Sequence, residues 1–484
     1  MALVMLQGTG SDVGKSILVA GLCRIFTQMG LKVRPFKAQN MSNNACPTTD
    51  GGEIGRAQAL QAMACGAVPH TDMNPILLKP QSDRVSQMIV QGKVCKDLEA
   101  KDFLTGRARL LELALESFRQ LRRESDLVIA EGGGSPAEIN LRSGDIVNMG
   151  FARPAQMPVI LVGDINRGGV IASLVGTKAV LDPEDAERIQ GFIVNQFRGE
   201  LSLFDEGNRA IARMTGWQAL GVVPWIEAAR RLPQEDAIPD KLRERGEIKI
   251  AVPVLPHIAN FDDFDVLEAE ETVQLQYVYP GRPLPGDAAL IILPGSKTTI
   301  SDLAFFKAQG WDIDLMAHIR RGGYVLGICG GYQMLGKTIS DPMGVEGAPG
   351  TVDGLGLLAV HTTLSGEKRV TDVEGVSLTG EIPFQGYEIH MGRTELEEGA
   401  HPLLRRSDGT LDGAVSADGR IAGCYIHRLF DGARQRAHWM GLLGAVSDGM
   451  DQGERIQMGL DHLAAALREC LDIEAILKIA QKGF

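Results

Sequence analysis

The run Gly327-Ile328-Cys329-Gly330-Gly331-Tyr332 sets one thiol between glycines where the chain changes pattern. Residues 324–328 ahead of it have strand composition, and Gln333-Met334-Leu335 behind it are helix formers. A strand that turns sharply through glycine into a helix is a nucleophile elbow. It exposes the side chain at the turn and places it at a helix N-terminus, which favours a thiolate. A matching base, His427, ends the strand-like Gly423-Cys424-Tyr425-Ile426-His427. An imidazole beside Cys329 would hold the thiolate and pass a proton to a leaving amine. A lone Cys at a strand end would be a core residue; the flanking glycines and the strand-borne His argue for a catalytic pair. Backbone N–H groups of Gly295, in the sharp turn Leu293-Pro294-Gly295-Ser296-Lys297, and of Gly330 are candidates for an oxyanion hole. Two residues after His427, where a third carboxylate would commonly stand, the chain has Leu429. The reading is therefore a Cys–His dyad with its orienting group open.

A second constellation begins the chain. The apolar run Met1-Ala2-Leu3-Val4-Met5-Leu6-Gln7 leads into Gly8-Thr9-Gly10-Ser11-Asp12-Val13-Gly14-Lys15-Ser16, and residues 17–29 have the periodicity of an amphipathic helix. Strand, glycine-rich loop and helix make a phosphate cradle. Backbone N–H groups and the helix dipole bind the anion, Lys15 neutralises it, and the Ser16 hydroxyl can hold Mg²⁺. The usual pattern has glycine five residues before Gly14, where this chain has Thr9, so the loop is a variant. Asp126-Leu127-Val128-Ile129-Ala130-Glu131 is a strand ending in a carboxylate, and strand carboxyl ends carry the ligands of α/β sheets. Glu131 is a candidate oxygen ligand for the metal beside Ser16. Asp164 repeats the pattern after residues 159–163 and is a further candidate. Lys37, after a strand at 33–36, is a candidate for phosphate or a substrate carboxylate. Asp145, in Asn140-Leu141-Arg142-Ser143-Gly144-Asp145, suits a loop role better than a substrate contact. Phe384-Gln385-Gly386-Tyr387-Glu388-Ile389-His390-Met391-Gly392 is dense in polar and aromatic groups and is expected to line a pocket or an interdomain contact.

The elements that must carry these residues alternate strand and helix, the pattern of parallel, doubly wound sheets. Strands are expected at 3–7, 32–36, 127–130, 159–163, 191–195 and 220–223, then at 248–255, 289–293, 324–328 and 422–426. Residues 336–419 have a β-rich composition. The fold class is therefore α/β with two doubly wound domains. A phosphate-loop domain spans 1–229, a linker containing Pro233 and Pro239 spans 230–247, the nucleophile domain spans 248–435, and a helical extension spans 436–484.

At 484 residues two or three domains are expected. The net charge of −12 argues against general nucleic-acid or membrane-surface binding. Seven cysteines without framework spacing suit a reducing cytoplasm. No run approaches the ~20 apolar residues of a membrane span, and the first residues have no charged leader region. No Cys/His metal spacing occurs.

Read together, the two sites suggest that a thiolate releases ammonia from glutamine and ATP converts a carboxylate to an acyl phosphate, which ammonia displaces. Ammonia is mostly protonated at neutral pH, so a sheltered path between the sites is expected. The second half resembles class I glutamine amidotransferases through Cys329, Gly295 and His427. The first half resembles the dethiobiotin-synthetase-like ATPases through 8–16, Lys37 and Glu131. Phe36-Lys37-Ala38-Gln39-Asn40-Met41-Ser42-Asn43-Asn44, Leu293-Pro294-Gly295-Ser296-Lys297-Thr298-Thr299 and Gly386-Tyr387-Glu388-Ile389-His390-Met391-Gly392 make the whole chain similar to the corrinoid-amidating ligases of cobalamin biosynthesis. That resemblance implies glutamine, ATP and Mg²⁺, and a corrinoid substrate amidated at the b, d, e and g carboxylates of adenosylcobyrinic acid a,c-diamide. A sister activity on the a and c carboxylates of cobyrinic acid is the runner-up. From another class, the alternative is a partitioning-type ATPase with a decayed amidotransferase domain, against which intact Cys329 and His427 count.

Overall fold

Six apolar runs of the first unit become one sheet. The computed structural model describes residues 2–82, 85–95, 103–227, 229, 232–233 and 246–482. The chain divides into two units, Met1–Glu235 with Ile456–Phe484, and Asp236–Arg455. The linker expected at 230–247 lies largely outside the described residues.

The first sheet holds β1 (Ala2–Gly8), β2 (Val33–Phe36), β3 (Leu127–Glu131), β4 (Val159–Asp164), β5 (Ile189–Phe197) and β6 (Gln218–Pro224). Their order is β6-β5-β4-β1-β3-β2, and every neighbouring pair is parallel. Both faces are covered, which is why β1 and β3 are buried along their whole length and have no polar alternation. The strand order reverses around β1. Its carboxyl end, and that of β3 beside it, is therefore a switch point where ligands of such sheets bind.

Helices α1 (Lys15–Gln28), α2 (Arg56–Ala64) and α3 (Phe103–Glu124) flank this sheet. One face packs Leu3, Met5, Phe36 and Val128 with Phe118 of α3, and Phe36, Phe118 and Phe151 form a cluster with centroids 5.0–5.5 Å apart. The other face packs Val4 and Leu6 with Leu18, Leu22 and Phe26 of α1. Leu460, Leu463, Leu467 and Ile476, from the helices Gln452–Cys470 and Ile473–Gln481, complete that second face. Asp461 ties the first of these helices to Arg24 (2.7 Å) and Gln28 (2.6 Å) of α1. The segment expected as one extension at 436–484 is thus divided: from Ile456 onward it belongs to the first unit. A small sheet of Gln39–Met41, Ile76–Ser82, Val85–Val90 and Lys93–Val94 was not expected, because Lys79, Pro80 and Gln81 interrupt its apolar pattern.

The second unit has its own sheet. Its strands are β7 (Ile248–Pro253), β8 (Val273–Val278), β9 (Leu290–Leu293), β10 (Tyr324–Ile328) and, after the long antiparallel pair β11 (Val360–Ser377) and β12 (Ile382–Leu396), β13 (Ala414–Val415) and β14 (Ile421–Cys424). The order is β8-β7-β9-β10-β14-β13, parallel except for β13. Phe264, Phe306, Trp311, Tyr332 and Phe430 fill its core. β8 was not expected: it is an edge strand whose inner positions alternate with Gln274 and Gln276.

Candidate active sites

Cys329 stands between β10 and the short helix α5 (Gly330–Leu335); α4 (Thr299–Ala308) precedes them. Its backbone is held at φ 51°, ψ −108°, a conformation that costs a residue with a side chain about 1–3 kcal/mol. Hydrogen bonds hold it there: Cys329 N–H donates to Cys424 O (2.9 Å), and Gln333 N–H donates to Cys329 O (3.1 Å). Gly331 makes the turn possible, since a Cβ there would lie 2.0 Å from the Leu293 carbonyl oxygen. The thiol is buried, with Sγ 3.4 Å from Ile389 O of β12.

His427 is fully buried beside it. Nδ1 lies 2.7 Å from Asp263 Oδ2, and the other oxygen of Asp263 accepts from Arg428 N–H at 2.8 Å. A carboxylate only accepts when ionised, so Nδ1 carries the proton and Nε2 is directed to Cys329 and to Asn260 (3.4 Å). Tyr387 stacks on the ring at 5.2 Å and 19°, and its backbone pairs with that of His427 in both directions. Burial alone would keep this imidazole neutral. The charge and hydrogen bond of Asp263, with Cys329 adding to them, push it up to about 10. His427 is therefore an imidazolium at neutral pH, set beside the Cys329 thiol.

Asp263 is thus the orienting group missing from the sequence reading. It arrives from Asn260-Phe261-Asp262-Asp263-Phe264, far upstream of the His rather than two residues after it. The acidic run was a signal, but nothing local showed which carboxylate is buried.

The expected oxyanion donor Gly295 sits in a short antiparallel ladder. Ile258–Ala259 pairs antiparallel with Gly295–Ser296, and Lys297 N–H donates to His257 O at 2.9 Å. Bonded and non-bonded pairs alternate along such a ladder. Gly295 is therefore bonded to Ala259, and the N–H of Ser296 faces the other way. Gly330 lies on that side: a Cβ on it would be 2.8 Å from Ser296 N. The geometry pairs Gly330 with Ser296.

β12 carries the motif that the sequence reading expected to line a pocket or an interdomain contact. Glu388 is fully buried and receives Arg406 (3.0 and 2.6 Å), Arg369 (2.6 Å) and His390 Nε2 (3.0 Å). Burial alone would raise its pKa, but His390 and Arg406 outweigh burial and bring it to about 2. His390 also lies 2.7 Å from Gly392 O and stacks on Tyr425 at 3.8 Å.

In the first unit the chain turns from β1 into α1 through Asp12 and Gly14, both at positive φ. The glycine absent at Thr9 is supplied one residue earlier, where a Cβ on Gly8 would lie 2.8 Å from Gly10 O and from Lys15 Nζ. Thr9 N–H donates to Val162 O (2.9 Å), and the Val13 side chain is core. Gly10 and Ser11 complete the turn. Asn195 and Gln196 at the end of β5 prop the loop through Val13 O (2.9 Å) and Asp12 O (3.0 Å). No acidic side chain occupies the first turn of α1, which keeps the dipole for an external anion. Lys15 Nζ donates to Gly10 O at 2.9 Å, and burial lowers its pKa.

Glu131 is the hub of this site. Its Oε1 accepts from Ser16 Oγ (2.8 Å) and Lys37 Nζ (2.8 Å), and its Oε2 from Gln61 Nε2 (2.7 Å). Burial opposes its charge, yet Lys37, Lys15 and Gln61 together lower its pKa below the usual carboxylate range. Gln61, on α2, was not foreseen. The adjacent hydroxyl and carboxylate oxygens of Ser16 and Glu131 fit a Mg²⁺ ion that keeps several waters. The other two candidates differ. Asp164 accepts from Asn166 N–H (2.7 Å) and faces Arg167 (3.7 Å), which also reaches Asp12 (3.6 Å); its described partners do not include Ser16 or Glu131. Asp145 accepts from the N–H groups of Val147, Asn148 and Gly150 (2.8, 2.8 and 2.7 Å), so it caps a turn.

Both halves of the chain match known protein families. Residues 4–239 match the CobQ/CobB/MinD/ParA nucleotide binding domain, and residues 249–435 match the CobB/CobQ-like glutamine amidotransferase domain. Curated cobyric acid synthases are similar over the full length. The one from Rhizorhabdus wittichii is 55% identical, covering 100% of both chains. The one from Caulobacter sp. is 56% identical, covering 99% of this chain and 100% of the relative. The one from Methylobacterium nodulans is 57% identical, covering 99% of each. The molecule is a glutamine-dependent, amide-forming ligase. A nucleotide-binding half and a glutaminase half, with full-length similarity to these relatives, mean that the chain belongs to the cobyric acid synthase family.

Proposed function

We propose that the chain amidates the b, d, e and g carboxylates of adenosylcobyrinic acid a,c-diamide to give adenosylcobyric acid, in the cytoplasm, using glutamine, ATP and Mg²⁺. Residues 1–229 would activate the carboxylate and residues 248–435 would supply ammonia. The observation that carries this reading is that two complete sets of catalytic groups, Cys329–His427–Asp263 and Lys15–Ser16–Glu131, occupy one chain.

In the glutaminase unit the Cys329 thiolate attacks the side-chain amide carbon. The N–H groups of Gly330 and Ser296 receive the oxyanion, and His427 passes a proton from Nε2 to the departing nitrogen. The thioester is then hydrolysed, with His427 taking the proton back from water. In the nucleotide unit, Lys15 and the first-turn N–H groups of α1 hold the phosphates. Ser16 and Glu131 would hold the Mg²⁺ that neutralises charge on the phosphate oxygens. The carboxylate of the corrinoid takes the γ-phosphoryl group. Ammonia displaces phosphate from the resulting acyl phosphate and forms the amide.

The two halves predict opposite phenotypes. Cys329→Ala should lose more than about 1,000-fold of glutamine-dependent synthesis, because no thioester forms, and should keep synthesis from ammonium salts at raised pH. Lys15→Ala should lose synthesis with either nitrogen source and still release glutamate from glutamine. Assaying both variants for all three activities tests the reading. A Cys329→Ala chain equally dead with ammonia, or a Lys15→Ala chain that amidates normally, would refute the division of labour.

A further inference from the structure

We propose that Asp302 is a positioning residue for glutamine hydrolysis: through the Ser296 hydroxyl and His257 it fixes the peptide whose N–H group receives the oxyanion at Cys329. The proposal rests on the reading that Cys329 hydrolyses glutamine with Ser296 beside Gly330 as a donor.

Asp302 lies in the first turn of α4 and is fully buried. An acidic residue there commonly serves its own helix. In α4 a different carboxylate takes the free backbone donor, since Ile300 N–H donates to Glu346 at 3.1 Å. The hydrogen bonds of Asp302 reach instead to both segments of the short ladder. Its Oδ2 accepts from the Ser296 hydroxyl (2.7 Å) and from His257 N–H (3.2 Å), and its Oδ1 lies 2.8 Å from His257 Nδ1. An ionised carboxylate only accepts, so Nδ1 carries the proton. Burial raises the Asp302 pKa, and the Ser296 hydroxyl and His257 work against that cost.

The ladder touches both reacting groups. A Cβ on Gly295 would lie 3.2 Å from His427 Cε1, and a Cβ on Gly330 would lie 2.8 Å from Ser296 N. The turn is wedged between the base and the elbow, where a misplacement of about 1 Å is costly to the reaction. Glycine at 295 leaves the peptide that follows it unusually free to rotate. The Ser296 hydroxyl opposes that freedom from two sides, because it accepts from Thr298 N–H (3.1 Å) while donating to Asp302. The other segment runs on from His257 to Asn260, 3.4 Å from His427 Nε2, and then to Asp263. One buried carboxylate therefore holds the oxyanion donor and the root of the segment that orients the base.

Ser296→Ala keeps the backbone N–H and loses the tether; Asp302→Asn keeps the size of the clamp and loses its charge. Each should lower kcat for glutamate release about 10- to 100-fold, part of what loss of a whole oxyanion donor costs, with KM for glutamine little changed. The double variant should be no worse than the poorer single one, because both changes break one clamp. Iodoacetamide is the control for the thiol. Its alkylation of Cys329 forms a sulfur–carbon bond as iodide leaves and builds no oxyanion, so its rate, read at the Cys329 peptide by mass spectrometry, should stay at the wild-type value. Ammonia-dependent synthesis checks that both variants fold, and Ser296→Ala carries the test alone if Asp302→Asn does not. An unchanged kcat in Ser296→Ala, losses that multiply in the double variant, or alkylation slowed as much as kcat would overturn the proposal. A wild-type chain that releases no glutamate would overturn the underlying reading instead.

Discussion

Asp263 gives His427 a role that no neighbour in sequence could give it. The buried pair at 2.7 Å keeps the imidazole protonated to about pH 10, against an ordinary value near 6.5. Asp263→Asn keeps an acceptor but removes the charge. The alkaline limb of glutaminase kcat/KM should therefore move from near pH 10 towards neutrality, with a loss of about 100-fold at pH 8. The pair also stabilises the fold. Because the folded pKa is raised, that contribution is complete below about pH 6.5 and is lost as pH rises through about 10. The melting-temperature gap between wild type and Asp263→Asn should close over that interval; a gap independent of pH would contradict the assignment. At this scale the sequence shows what local pattern encodes. Cys329 and His427 were legible because glycines and strand composition surround them, and Lys15 and Glu131 because a loop and a strand end do. Asp263 and Gln61 were not, because each meets its partner across the tertiary fold. The proposal of Ser296 beside Gly330 rests on the alternation of the ladder, which the sequence does not display.

Elements buried on both faces were the ones the sequence marked most clearly. The central strands β1, β3 and β4 are near-continuous apolar runs, and all six strands of the first sheet were expected within a few residues of their bounds. β8 and the small sheet beside β2 were missed because edge or one-sided strands mix polar residues into the pattern. The helices at the C-terminus were legible as helices, but periodicity does not say what an apolar face covers. The structure lays them on β1 and α1, where Leu460, Leu463, Leu467 and Ile476 are fully buried. Burial of each such side chain stabilises by about 1.5–3 kcal/mol, so the four together rival the whole stability of a typical domain. A chain ending at Arg455 should therefore lose the nucleotide unit: ATP binding should vanish and amide-hydrogen protection of β1 and α1 should collapse. Retention of ATP binding at wild-type affinity would show that the helices are dispensable decoration.

On the scale of the whole molecule, each unit has its own sheet, its own core and its own chemistry. In the proposed mechanism, glutamine hydrolysis and carboxylate activation would therefore reside in separate structural units, and the full activity would need both on one substrate. Among the described residues no helix is long and apolar enough to cross a membrane. The division into two α/β units was legible because apolar strands recur on both sides of a polar, proline-containing stretch. The return of the C-terminal helices to the first unit was not, since it is set by packing alone. The most direct test of the account is mass spectrometry of the corrinoid after incubation of the chain with ATP, Mg²⁺, adenosylcobyrinic acid a,c-diamide and glutamine labelled with ¹⁵N at its amide. The account predicts a product in which four hydroxyls have been replaced by four labelled amide groups, and no product when ATP is omitted. A corrinoid recovered unchanged, or one whose new amides carry no label, would contradict it.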